Sequence, residues 1–350
     1  MTDYLKLTSY FDERLRHGDR FLSDALLGLY SDNAVATSVV LRGIAGFGPH
    51  HVLRTDQTLS MSENSPIAVA AVDEADKMAG LADRVSAMLT RGLVTLERAK
   101  LGGTSAAPDT AKLTIYVGRQ DRADGRPAYR AVSDVLHRLG FAGASVFLGV
   151  DGTVRGHRRR AKFFSRNIGV PVMIIAVGTG QQVAAALPEL ESLLREPIFT
   201  IERAQLCKRD GDTLTPPPAL PATDEHGRAL WQKLMVHTSE TALYDGIPVH
   251  RAIVRRLFDA RVTSGDTVLR GMWGFHGDHE PHGDRWVQLA RRVPVTTIVV
   301  DAPDRIAASF GIIDELTREH GLVTSELVPA LVSIDGEDRR GGTALARHDY

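Results

Sequence analysis

Cysteine is almost missing from this 350-residue sequence: Cys207 stands alone. That excludes an intramolecular disulfide and any Cys-based metal motif, and it fits a reducing compartment. Long apolar runs are missing too, since no stretch reaches the ~18 residues of a membrane span. The opening Met1-Thr2-Asp3-Tyr4-Leu5-Lys6 lacks the basic segment and apolar run of a secretory signal. A cytoplasmic protein with no membrane-embedded part is expected. Charge of one sign is also absent: 42 Lys and Arg balance 43 Asp and Glu, for a net charge of −1. Nothing in that balance favours nucleic acid or an anionic surface as partner. A nucleophile elbow, a phosphate-binding Gly-Lys-Ser/Thr loop, a dinucleotide fingerprint and a zinc-protease helix motif are all lacking. The expectation is a protein that is not an enzyme.

What the chain does contain is a repeat. Its apolar fraction of 43% and charged fraction of 24% mark a soluble globular protein, and its length exceeds what one core normally serves. Three segments align, opening at Lys6-Leu7-Thr8-Ser9-Tyr10, Lys112-Leu113-Thr114-Ile115-Tyr116 and Lys233-Leu234-Met235-Val236-His237, with offsets of 106 and 121 residues. Ordered landmarks follow in each copy. Gly18, Gly125 and Gly246 open the first helix. A strand then closes on glycine at Val40-Leu41-Arg42-Gly43, Phe147-Leu148-Gly149 and Val268-Leu269-Arg270-Gly271. Pro66, Pro171 and Pro294 begin an apolar strand, and the copies end on Gly92-Leu93-Val94-Thr95, Pro197-Ile198-Phe199-Thr200 and Gly321-Leu322-Val323-Thr324. The domains therefore read as 4–100, 111–207 and 231–332. Segments 101–110 and 208–230, rich in Gly and Pro, read as linkers, and 333–350, rich in Gly, Asp and Arg, as a disordered tail.

Within copy two, Lys112 to Val117 reads as a strand. Tyr129, Val132, Leu136 and Leu139 then recur on one helix face, as do Val249, Ile253, Leu257 and Phe258 in copy three. Ala144 to Leu148 is a second strand, and the continuous run Val172 to Val177 a third, buried on both faces. Asp73 and Asp301 suit the N-caps of second helices, and Pro303 suits a first turn. The order β-α-β-β-α-β is the ferredoxin-like arrangement, an α+β fold with both helices on one sheet face. The exposed sheet faces are best covered by packing three copies around a shared axis as an intramolecular pseudo-trimer, which would leave the chain monomeric. The alternative is an open string of domains.

The string Val40-Leu41-Arg42-Gly43-Ile44-Ala45-Gly46-Phe47-Gly48, followed by a polar loop and the Pro66 strand, resembles the uncharacterised bacterial PII-like proteins known as domain of unknown function 190. Gly46-Phe47-Gly48 also looks like the start of the T-loop in PII nitrogen-signalling proteins. The resemblance covers three copies. It implies trimer-forming modules with ligand clefts between units, and an association with small ion exporters such as fluoride channels. Copy two departs from it with Val150-Asp151-Gly152 and copy three with Gly274-Phe275-His276, so the three clefts are not chemically equivalent.

The loops after the second strands carry the candidate sites, because loops on rigid scaffolds often hold function. Copy one offers Arg42, Gly46, Phe47, Gly48, His50, His51 and Arg54. Copy two offers Arg155, His157, Arg158, Arg159 and Arg160, whose guanidinium groups suit phosphate or carboxylate. The alternative is a solvated basic loop. In copy three, Phe275 is followed by His276, Asp278, His279, Glu280, His282 and Asp284, a donor set suited to zinc or another divalent ion but also to ordinary turns. Arg42 and Arg270 share one repeat position and suit either an interface cleft or a salt bridge between units. Lys6, Lys112 and Lys233 read as strand-end charges that discourage aggregation.

Three functions remain in contention. One is a regulatory protein that binds a small anionic metabolite or nucleotide between copies. Another is a metal-binding protein or metal-dependent enzyme on loop 276–284, with Glu280 as general base. The last is a structural adaptor for a membrane ion exporter or another regulated protein.

Overall fold

The computed structural model describes residues 3–54, 64–101, 109–154, 156–160, 170–277, 279–283 and 293–348. The described chain is mixed α/β, with six helices and a large antiparallel sheet. Among the described residues no helix is long and apolar enough to cross a membrane.

Copy one runs β1 (Asp3–Asp12), α1 (Leu22–Asp32), β2 (Thr37–Phe47), β3 (Pro66–Glu74), α2 (Ala75–Met88) and β4 (Arg91–Leu101). Its strands lie in the order β2-β3-β1-β4, each antiparallel to its neighbour. Copy two repeats this with β5 (Ala111–Gly118), α3 (Ala128–Arg138), β6 (Gly143–Leu148), then β7 (Asp151–Val154) and β8 (His157–Arg160). It continues with β9 (Pro171–Gly178), α4 (Gly180–Leu193), β10 (Ile198–Arg203) and β11 (Gln205–Arg209). Copy three has β12 (Trp231–Ser239), α5 (Val249–Ala260), β13 (Asp266–Arg270), β14 (Trp273–His276), β15 (Pro294–Asp301), α6 (Pro303–Leu316), β16 (Leu322–Val328), β17 (Ala330–Asp335) and β18 (Asp338–Gly342). The order of pairing recurs as β6-β9-β5-β10 and β13-β15-β12-β16.

Strand alternation sends successive side chains to opposite faces. In copy one Leu5, Leu7, Val69 and Ala71 pack under the helices with Leu26, Tyr30, Met78 and Val85. Ala68, Ala70 and Val72, the alternate residues, pack instead with Met173, Ile175, Ile298 and Val300 of the other copies. Each sheet thus has one face on its own helices and one on a core shared by all three copies, which is why Pro171–Gly178 is buried throughout.

Strand exchange ties the copies into a ring. The far end of β2 pairs with β13, β14 pairs with β6, and β7 pairs with β2, linking one to three, three to two and two to one. At each crossing a glycine of the incoming strand lies against a neighbour's carbonyl. A Cβ would sit 2.5 Å from Asp266 O at Gly46, 2.2 Å from Ser38 O at Gly152 and 2.2 Å from Ala144 O at Gly274. No side chain fits there, so this glycine recurs because of backbone proximity.

Several expectations change. The tail is not disordered over 333–342: β17 pairs with β4 of copy one, and β18 folds back on it. Its Gly, Asp and Arg residues supply the turn and the exposed strand β18, while Leu331, Val332 and Ile334 are buried. Within the second linker, Lys208 and Arg209 extend β11, which pairs with β16. Gly18, Gly125 and Gly246 turn short hairpins just before the helices, at φ of 58, 76 and 77°. Asp73 and Asp301 do not cap helices. Asp73 accepts from Ala36 N at 2.9 Å and Asp301 from Ser264 N at 2.7 Å, tying down the loop that enters each second strand. Thr179 makes a capping box with Gln182 instead.

Candidate functional site

Lys6, Lys112 and Lys233 are not strand-end charges. They are buried where the first strands meet, among Glu97, Glu202 and Glu326 of the last strands. Lys6 Nζ lies 2.6 Å from Glu202 and 3.1 Å from Glu97. Lys112 contacts Glu202 and Glu326, and Lys233 contacts Glu97 and lies 2.9 Å from Glu326. Burial alone would raise the carboxyl pKa values, but Lys112 and Lys6 pull Glu202 down to about 2, and Lys233 and Lys6 hold Glu97 well below its usual range. Removing ions from water costs several kcal/mol each. Three charges of each sign, each carboxylate touched by at least two ammonium groups, are what make the burial tolerable. Among the described residues the three glutamates are a trio whose ligand atoms converge, all within 4.8 Å. A metal ion does not fit them, because the ammonium groups already hold the same oxygens.

The open site lies elsewhere, between copies one and three. A cleft of about 540 Å³ is bounded by the end of β1, the loop after β2, the start of β4 and residues 264–267 leading into β13. That is a normal size for a small-molecule site. Gly46, Phe47, Gly48 and His50 line it, with Arg14, Arg54 and Arg91. Both Arg54 Nη atoms lie 3.0 Å from the Asp12 carboxylate. His50 Nε2 lies 2.6 Å and Arg91 Nε 3.7 Å from Asp335 Oδ1. Asp266, also on the lining, is buried; its Oδ1 accepts from Phe47 N at 3.2 Å and its Oδ2 has no partner. Burial pushes its pKa up to about 8, against the pull of that N–H, so it holds its proton at neutral pH.

The profile of DUF190, described as an uncharacterized ACR, matches residues 4–101, 110–206 and 231–330. The chain belongs to the DUF190 family. The UPF0166 protein MJ1524 of Methanocaldococcus jannaschii is 31% identical over 85 residues, 24% of this chain and 77% of that protein. An aspartate kinase from Synechocystis overlays at a TM-score of 0.27 and 14% identity, over 95% of this chain and 45% of the kinase. An unknown protein from Galdieria sulphuraria overlays at 0.18 and 12%, over 58% of this chain and 98% of its own. Both scores are too low to carry an argument.

The DUF190 copies distribute the candidate residues unevenly. Phe47 is an anchor as well as a cleft residue: it is buried in the helical core of copy three, edge-on to Phe258 at 5.4 Å. Phe275 does the same in the core of copy two, edge-on to His137 at 5.0 Å. His51 stacks on Phe258 at 3.7 Å and braces the loop rather than facing the cleft. Arg42 and Arg270 bind Glu13 and Glu240 of their own copies, so they are neither cleft residues nor bridges between units. Arg158 binds Asp24 of copy one and Asp151, a contact between copies. Arg155, Asp278 and Asp284 lie outside the described residues, as do the side chains of His157, Arg159 and Arg160. His276, His279 and His282 do not converge as a metal-holding group among the described residues. His276 Nε2 lies 3.2 Å from Thr238 O, and His282 Nδ1 2.9 Å from Glu280 O.

Sequence reasoning missed Arg14, Arg91, Asp266 and the three glutamates. The glutamate signal was present: each copy continues its Thr landmark as Thr-x-Glu, at Thr95-Leu96-Glu97, Thr200-Ile201-Glu202 and Thr324-Ser325-Glu326.

Proposed function

We propose that this DUF190 chain is a PII-like regulatory protein of the cytoplasm. In this reading three ferredoxin-like units form an intramolecular pseudo-trimer, and a small anionic metabolite or nucleotide binds between copies one and three. The observation that carries the reading is the cleft itself, where three arginines and His50 gather beside the Gly46-Phe47-Gly48 turn. Guanidinium groups suit phosphate and carboxylate oxygens. Asp12 holds Arg54, and Asp335 lies against Arg91 and His50, so an entering anion competes with these carboxylates. Asp335 sits on β17 and Asp12 on β1, so displacing them alters the strand ends that a regulated partner touches. Such a ligand acts by preferring one loop state. Among the described residues the histidines of the 276–284 loop do not converge as a metal-holding group, and the reading is of a binding protein, not a catalyst.

A thermal-shift series with nucleotides, phosphorylated metabolites and small anions tests this. Stabilisation by an organic anion, lost in Arg91→Ala, is expected. An unchanged melting temperature across the series contradicts the reading.

A further inference from the structure

The three junctions repeat one geometry, so equivalent positions can be compared directly. Asp12, Gly118 and Ser239 each face the proline that opens the third strand. Tyr10, Tyr116 and His237 face Leu93, Ile198 and Leu322. By that register the position of Arg91 is Glu196 in copy two and His320 in copy three, and that of Arg14 is Gln120 and Thr241. Copy one alone carries both arginines, and copy two places a carboxylate where an anion would need Arg91. The position of Arg54 does not discriminate, since Arg159 and His282 stand opposite Gly152 and Gly274 as Arg54 stands opposite Gly46.

Space differs as well as charge. Ser264, Val300 and Leu93 line the cleft between copies one and three. Their counterparts between copies three and two are Ala142, Val177 and Leu322, which close on one another as a buried apolar cluster, 5%, 1% and 3% exposed, with Leu206 against it. His276 replaces Gly48 there, with its Nδ1 enclosed and without a partner. Its pKa falls to about 4 through burial, so that junction gains no cation from it at neutral pH.

We infer that each chain takes one anionic ligand, between copies one and three, and that the junction between copies three and two serves as a joint. This rests on the cleft reading proposed above. Fusion of three copies permits such divergence, because each junction is encoded separately.

Two measurements test the inference on the full chain. Calorimetric titration with ADP, AMP, pyrophosphate and inorganic phosphate is expected to show one site per chain, abolished by Arg91→Glu. Because Cys207 is fully buried, a single introduced thiol reports access without background. Ser264→Cys is expected to react with a polar maleimide in the native chain, whereas Ala142→Cys, at the equivalent position, reacts only after unfolding. Two or three sites, or equal labelling of both thiols, overturn single occupancy and leave the cleft reading standing. Absence of binding across the four probes overturns both.

Discussion

Lys6 Nζ donates to Glu202 Oε2 at 2.6 Å across 196 residues of sequence. The first strand of copy one is thereby joined to the last strand of copy two, and Lys112–Glu326 and Lys233–Glu97 complete the set. Such a cluster adds little net stability over apolar packing, but breaking one partner leaves a buried charge uncompensated.

Glu202→Gln is therefore expected to destabilise the chain by about 3–5 kcal/mol, read as a lower urea midpoint at unchanged slope. Adding Lys6→Met to it should cost less than the sum of the two single changes. Glu202 and Glu97 have lowered pKa values, so their contribution is present above the unfolded carboxyl value and is lost as pH falls toward about 2. An acid limb that starts near pH 4.5 and flattens in Glu202→Gln is the expected titration.

Asp266 makes the opposite prediction. Its folded pKa is raised from 3.8 to about 8, so the folded chain keeps a proton that the unfolded chain loses. Stability from this group is complete below pH 3.8 and is lost as pH rises toward 8. Asp266→Asn cannot ionise and retains an acceptor for Phe47 N. Its melting temperature is expected to match wild type near pH 4 and exceed it increasingly up to pH 8. A constant difference across that range contradicts the assignment.

The parts legible in the sequence were those with a local signature. Helix faces at three- and four-residue steps, the prolines opening the third strands and the recurring glycines all lie where the repeat places them. The closing role of 330–335 was hidden because a strand that pairs with residues 91–96 leaves no local mark, and the adjoining Gly-Asp-Arg composition imitates disorder. The lysines misled for a related reason: a charged residue in a strand reads as exposed until its partner, on another copy, is known. Arg91 opens the last strand, far in sequence from the loop it faces across the cleft, and only its replacement by Glu196 and His320 in the other copies marks it in the sequence.

Removal of residues 330–350 should expose β4 as an unpaired edge and uncover apolar side chains beneath Leu331 and Ile334. Such edges promote association. The truncated chain is expected to melt lower and to scatter light on concentration, whereas a monodisperse product with wild-type melting would show that the hairpin is dispensable.

Binding between copies one and three is tested most directly by hydrogen exchange of the full chain with and without saturating ADP or the best-stabilising anion from the thermal series. Added protection is expected at residues 46–54, 91–93 and 264–267, with residues 142–145 and 274–277 unchanged. Protection that appears equally at all three junctions, or none at the first, would contradict it.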